Sequence, residues 1–366
     1  MKRMVLEWLS RLSFAALGVQ LLAASLPALA QTASDARKAV KDSSDEQLRR
    51  EFQRRFDERS GVLPEEKAGA RNVESPSLLH LDDGAIVEAV RLEGRSRVIY
   101  GTDERKDWYE ITNPRVQALA RASVASFRAT DIQDGPNGGV QLKLRSLQDA
   151  QRLCTGEKFV SQPMGAFCSG TLVGPDLVLT AGHCVREISG LGAVPAVTST
   201  RFVFGYQMAS ASAHAPISSA QVFSGKEIVG GTMNPKAEDW ALLRLSRPVP
   251  ATLAEPVSNW DPTPVRQDQR VFVIGYPSGI PIKYAPGATV RHISDPGFFV
   301  TNLDTFGGNS GSGVYDEVTN RLIGVLVRGE TDYVPDKTRS CYRANICPTS
   351  GCRGEDVTRI GVVRKP

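Results

Sequence analysis

Residues 168–185 read CSGTLVGPDLVLTAGHCV. Valine, leucine and threonine dominate, Gly-Pro-Asp interrupts them, and no 3.6-residue periodicity runs through. Such a stretch reads as short strand separated by turn, not as helix. It ends in a turn of small residues that carries His183, and cysteines stand at both ends. The same texture recurs downstream in VQLKLRSL, RFVFGY, DWALLRLS, RVFVIGYPSG, GFFVTNLDT and RLIGVLVRG, each bounded by Gly, Pro, Asp or Asn. Many short strands, little helical periodicity and no fixed-period repeat predict an all-β barrel or sandwich from about residue 98 onward.

The chemistry-bearing residues sit at the ends of these runs. Of four histidines, His80 precedes the strand-rich region, His214 lies in a polar loop and His292 lies in a strand-like run. Only His183 is presented on a turn fed by an apolar strand. A second turn, DTFGGNSGSGV at residues 304–314, sets Ser310 among glycines. Glycine admits backbone conformations and close approaches that other residues resist. Between the two lies AEDWALLRL at 237–245, where Asp239 opens an alternating apolar strand. A serine hydroxyl is a poor nucleophile at neutral pH and needs a base to take its proton, with an acid to orient that base.

LTAGHC resembles the histidine motif of chymotrypsin-fold serine proteases, GGNSGSG resembles their nucleophile motif, and AEDWALLRL resembles their acidic motif. The order His183, Asp239, Ser310 is that of the chymotrypsin type and not of subtilisin or α/β-hydrolases. The Asn-Ser-Gly-Ser variant is most similar to the bacterial V8-like glutamyl endopeptidase and exfoliative-toxin branch. The resemblance covers about residues 98–330. It implies two six-stranded antiparallel β-barrels, a His183–Asp239–Ser310 triad, and an oxyanion hole from the backbone N–H groups of Gly308 and Ser310. It implies no cofactor and no catalytic metal. It also aligns Asp304 with the base of the primary specificity pocket, beside Thr305, Leu326, Val327, Arg328 and Gly329. A carboxylate there favours Arg or Lys in the substrate. The glutamyl branch uses a histidine on the strand at 324–329, where this chain has none. Arg328 leaves a Glu/Asp-directed pocket as the alternative. A non-catalytic binding protein on the same fold is a further rival.

Outside this region the chain reads as an exported precursor. Lys2, Arg3 and Arg11 flank the start of an apolar run that ends in Ala28-Leu29-Ala30, the pattern of a signal peptide cut after Ala30. Residues 31–97 are charged and free of cysteine, with a predicted helix in SSDEQLRREFQRRFDERSG. They read as a helical pro-segment, removed by cleavage after Arg97 to leave Val98 as the new N-terminus. Asn309 stands where the trypsin branch carries the Asp that pairs with such an N-terminus, so activation through that ion pair is not expected.

Residues 98–366 then form the protease domain, with a Cys-rich, strand-poor insertion at 331–356. Six cysteines in an exported chain point to disulfides. The resemblance pairs Cys168 with Cys184, while Cys154, Cys341, Cys347 and Cys352 allow three pairings. At least one bridge must join Cys154 to the C-terminal insertion. With 41% hydrophobic and 23% charged residues and a net charge of +4, the composition is that of a globular protein without the basic stripe of a nucleic-acid binder. The expected partner is a protein or peptide substrate. After signal cleavage no membrane partner is expected, and the chain should be a monomer, secreted to the periplasm or beyond.

Overall fold

The structure, a computed structural model, describes residues 98–185, 197–233, 238–293, 295–329 and 332–364. The signal peptide, the pro-segment helix, Ala30 and Arg97 lie outside the described residues.

Strands β1 (Ser123–Arg128), β2 (Cys168–Gly174), β3 (Leu177–Thr180), β4 (Thr200–Phe204), β5 (Val222–Met233) and β6 (Asp239–Leu245) close into one antiparallel barrel in the order 1-2-3-6-5-4. Strands β7 (Arg270–Gly275), β8 (Lys283–His292), β9 (Phe298–Thr301), β10 (Gly313–Asp316), β11 (Leu322–Arg328) and β12 (Glu355–Arg359) close into a second. Its order is 7-8-9-12-11-10, closed by the β7–β8 pairing, so the second barrel repeats the topology of the first. This is the all-β chymotrypsin-like fold. Closure removes the exposed edges that open sheets must protect.

Aromatic and branched residues fill the barrels. Phe127, Leu172, Phe202, Phe204 and Phe223 are fully buried in the first. Val271, Val273, Val290, Phe299, Val314 and Val357 form the core of the second. Each contributes about 1.5–3 kcal/mol through burial. Among the described residues no helix is long and apolar enough to cross a membrane.

The predicted strands are present, with local differences. VQLKLRSL is not one strand. Gly139–Leu142 and Arg145–Ser146 pair with different partners, and Leu147–Gln151 is helical, with the Ser146 side chain capping it. Helix α1 (Pro114–Ala122) packs Val116 and Leu119 inward. Asn113 caps it through Arg115 N, and Pro114 occupies its first turn, where a missing N–H costs nothing. The stretch read as a strand-poor insertion holds the short strands Tyr333–Pro335, Tyr342–Ala344 and Ile346–Cys347, and its last two residues already belong to β12.

The disulfides are Cys168–Cys184, Cys154–Cys341 and Cys347–Cys352. The first staples β2 to the turn after β3. The second ties residue 154 to the C-terminal segment across 187 positions, the long closure expected from the sequence. Val98 and Ile99 run into the second barrel's surroundings. Ile99–Tyr100 pairs in parallel with Ile346–Cys347, and Val98 is fully buried.

Candidate active site

β3 ends at Thr180, and the chain turns through Gly182, His183 and Cys184. β6 begins at Asp239 on the neighbouring strand, so barrel pairing brings histidine and acid to one rim. His183 Nδ1 lies 2.6 Å from Asp239 Oδ2, and the His183 backbone N–H donates to Asp239 Oδ1 at 3.1 Å. Gly182 makes this approach feasible. A Cβ there would meet Asp239 Oδ1 at 2.8 Å and collide with the Thr232 carbonyl.

Asp239 is fully enclosed. Burial opposes its ionisation most strongly, but the charge and hydrogen bonds of His183, with the Arg328 guanidinium behind, outweigh it and hold the carboxyl below its usual range. The Thr358 hydroxyl, from β12, accepts from Asp239 N and donates to Asp239 O, both at 3.2 Å. The second barrel thereby fixes the backbone of the acid.

Ser310 comes from the turn between residue 301 and β10, in the second barrel. Its carbonyl accepts from Ser169 N at 2.8 Å, and Cys184 Sγ lies 3.7 Å from the same oxygen. The Ser169 hydroxyl donates to the Gly308 carbonyl at 2.8 Å and accepts from Tyr276 N at 3.0 Å. Ser169 therefore pins both ends of the nucleophile turn to β2. Gly311, at φ 89°, lies so close to Ser169 O, Thr180 Oγ1 and Ala181 N that no side chain fits. These contacts dock the Ser310 turn on the strand that carries His183. His183 Nε2 is buried and makes no hydrogen bond among the described residues, so the Ser310 hydroxyl is not bonded to it in this state. Such bonds often tighten only when substrate arrives.

Asn309 is buried. Its Oδ1 accepts from the Ser312 hydroxyl at 3.3 Å, and its N–H donates to Phe306 O. It makes an internal turn contact and carries no charge. Gly311 N donates to Leu326 O, and Leu326 N donates to Ser312 O, so β11 runs alongside the nucleophile turn. Leu326 and Val327 are fully buried within it.

The residues expected to set specificity are arranged differently from the sequence expectation. Asp304 does not present a substrate-facing carboxylate. Its Oδ1 accepts from Tyr100 N at 2.7 Å and its Oδ2 from Glu104 N at 3.2 Å. Both oxygens are thus engaged by the N-terminal segment. Burial dominates and pushes its pKa up to about 6, against those two bonds. Arg328 does not neutralise Asp304 either. It donates to Asp356 Oδ2 at 3.1 Å, and Arg353 donates to the same oxygen at 2.5 Å. Thr305 donates from Oγ1 to Glu355 Oε2 at 2.8 Å, and Thr305 N donates to Val98 O at 3.2 Å. Gly329 packs against the Glu355 carboxylate.

Three residues of this site were not foreseen: Ser169, Thr358 and Glu355. The polar Ser169 beside Cys168 was a usable signal. Nothing local distinguishes Thr358 or Glu355. Cys168, His183 and Cys184 also place potential ligand atoms near one another, but both sulfurs are committed to their disulfide.

Residues 168–325 match the model of the trypsin-like peptidase domain. That span contains His183, Asp239 and Ser310. The match and the fold support a serine peptidase, which acts on peptides or proteins. Among solved structures, the chain is similar to a Glu endopeptidase in complex with MPD, at 17% identity and a TM-score of 0.42, covering 72% of this chain and 94% of that one. It is also similar to the active form of a protease from M. tuberculosis, at 17% identity and a TM-score of 0.37, covering 72% and 86%. Human heparin binding protein matches at 14% identity and a TM-score of 0.41, covering 71% and 92%.

Proposed function

We propose that the chain is an exported serine endopeptidase, made as a precursor and using His183, Asp239 and Ser310 as its triad. The reading rests on one observation: a histidine bonded to a buried carboxylate at 2.6 Å, on the rim where the Ser310 turn docks. Ser310 Oγ attacks the scissile carbonyl, and His183 Nε2 takes its proton. The imidazolium that forms is stabilised by Asp239, which also holds the Nδ1–H tautomer. The tetrahedral oxyanion is met by the N–H groups of Gly308 and Ser310, in a turn that Ser169 holds in place. His183 then returns the proton to the leaving amine, an acyl-enzyme remains on Ser310, and water repeats the sequence. These steps require no cofactor.

Cleavage after Arg97 would release the enzyme from its pro-segment, with a preference for Arg or Lys before the scissile bond; the glutamyl-directed alternative predicts cuts after Glu. Three disulfides are consistent with export. The test is labelling of the purified, secreted protein by a serine-directed phosphonate, beside a Ser310→Ala control, with N-terminal sequencing. Labelling confined to the wild type, in a chain beginning at Val98, is expected. A processed chain that Ser310-dependent probes never label would favour the binding-protein reading and sink this one.

A further inference from the structure

Resting on that reading, we infer that Glu355, and not Asp304, is the carboxylate that selects a basic side chain in the substrate. Glu355 opens β12, and its backbone is set by pairing: Thr301 lies opposite it, and Thr301 Oγ1 donates to Glu355 O at 3.3 Å. Successive residues of a strand face opposite ways. Asp356 points to one side and takes Arg328 and Arg353. Glu355 points to the other, where it meets Thr305 and Gly329.

Those two neighbours define the position. Thr305 begins the five-residue approach to Ser310. Gly329 directly follows β11, the strand that exchanges hydrogen bonds with the nucleophile turn through Gly311 and Ser312. The Glu355 carboxylate therefore lies between the two segments that flank the nucleophile. At Gly329 a Cβ would collide with both carboxylate oxygens, so only glycine leaves the acid open on that side. Glu355 is fully buried. A buried carboxylate is costly unless a cation meets it, and a guanidinium or ammonium can do so through a charge-assisted hydrogen bond. Asp304 cannot serve equally, since both its oxygens hold the N-terminal segment.

The probe is p-aminobenzamidine, a small cationic amidine, followed by fluorescence titration of the processed chain in a Ser310→Ala background. Binding is expected in that background, with affinity lower by about 10²-fold in Glu355→Gln. Gly329→Ala should weaken it similarly by displacing the carboxylate, which keeps the idea testable if the first variant fails to fold. In the active enzyme, Glu355→Gln should lower the ratio of Arg to Leu cleavage by about the same factor. Affinity within threefold of the parent in both variants would overturn the inference, as would loss in Asp304→Asn with retention in Glu355→Gln. Cleavage that depends on Ser310 but shows no amidine binding would overturn the inference and leave the peptidase standing. Amidine binding through Glu355 without phosphonate labelling of Ser310 would do the reverse.

Discussion

Asp304 carries a measurable consequence for stability. Its carboxyl sits among buried groups and accepts from Tyr100 N and Glu104 N. Burial raises its pKa from the ordinary 3.8 to about 6, with Arg105 and the two backbone donors acting in the opposite direction. A group whose folded pKa is raised binds its proton more tightly in the native state. Its stabilising contribution is therefore complete below about pH 4 and is lost as pH rises through 6. At 1.36 kcal/mol per pH unit, the loss is about 3 kcal/mol. Asp304→Asn removes the titration. It also leaves one oxygen for two backbone donors, and the unsatisfied one costs about 1–3 kcal/mol. The variant should thus be less stable than the parent at pH 4, and as stable or more stable at pH 7.5. Urea unfolding followed by tryptophan fluorescence, with disulfides intact and Ser310→Ala in both proteins to stop self-digestion, gives the difference at each pH. Other titrating groups cancel in that difference. A gap between the two proteins that stays constant within about 0.5 kcal/mol from pH 4 to 7.5 would refute the argument.

Three further outcomes are expected. Asp239→Asn keeps the shape of the acid but not the His183 tautomer, and kcat should fall by about 10⁴-fold on a peptide substrate, as in the chymotrypsin-type triad; a fall below tenfold would remove Asp239 from the triad. Lys283 is buried against Asp107 at 2.6 Å, and Lys283→Met should cost about 3–5 kcal/mol in urea unfolding by stranding that carboxylate, while Asp107→Leu combined with Lys283→Met recovers most of it. Removing Cys154–Cys341, which spans 187 positions, should destabilise by about 5 kcal/mol on loop entropy, against about 2 kcal/mol for Cys347–Cys352, which spans 5; equal losses on chemical denaturation would contradict that ordering.

The sequence made the site's catalytic parts legible because they lie on turns whose small residues have few other uses. His183 and Ser310 are each surrounded by glycines that the close packing of Gly182 and Gly311 requires. Some strands were harder to read. β1 is SVASFR, with Ser123 and Ser126 fully buried in the barrel wall, so polarity and burial do not alternate. β5 spans twelve residues but contains Gly225, Gly230 and Gly231, and its pairing with β6 shifts register near them. In β8, Pro286 and Gly287 look like a loop, yet they sit where its register with β7 shifts, a position at which a strand tolerates both residues.

Specificity was the least legible part, because it depends on where acids point and not on where they occur. Asp304, six residues before Ser310, is close in sequence to the nucleophile, yet the N-terminal segment consumes its acceptors. Glu355 is 50 residues from Thr305 in a stretch that reads as an insertion, and only the β9–β12 pairing brings the two together. The same pairing sets Thr358 against Asp239. One strand thus supplies both the support of the proposed catalytic acid and the proposed specificity carboxylate. Substitutions that shift β12 in register should therefore change rate and selectivity together, whereas Glu355→Gln, which leaves the backbone in place, should change selectivity far more than rate.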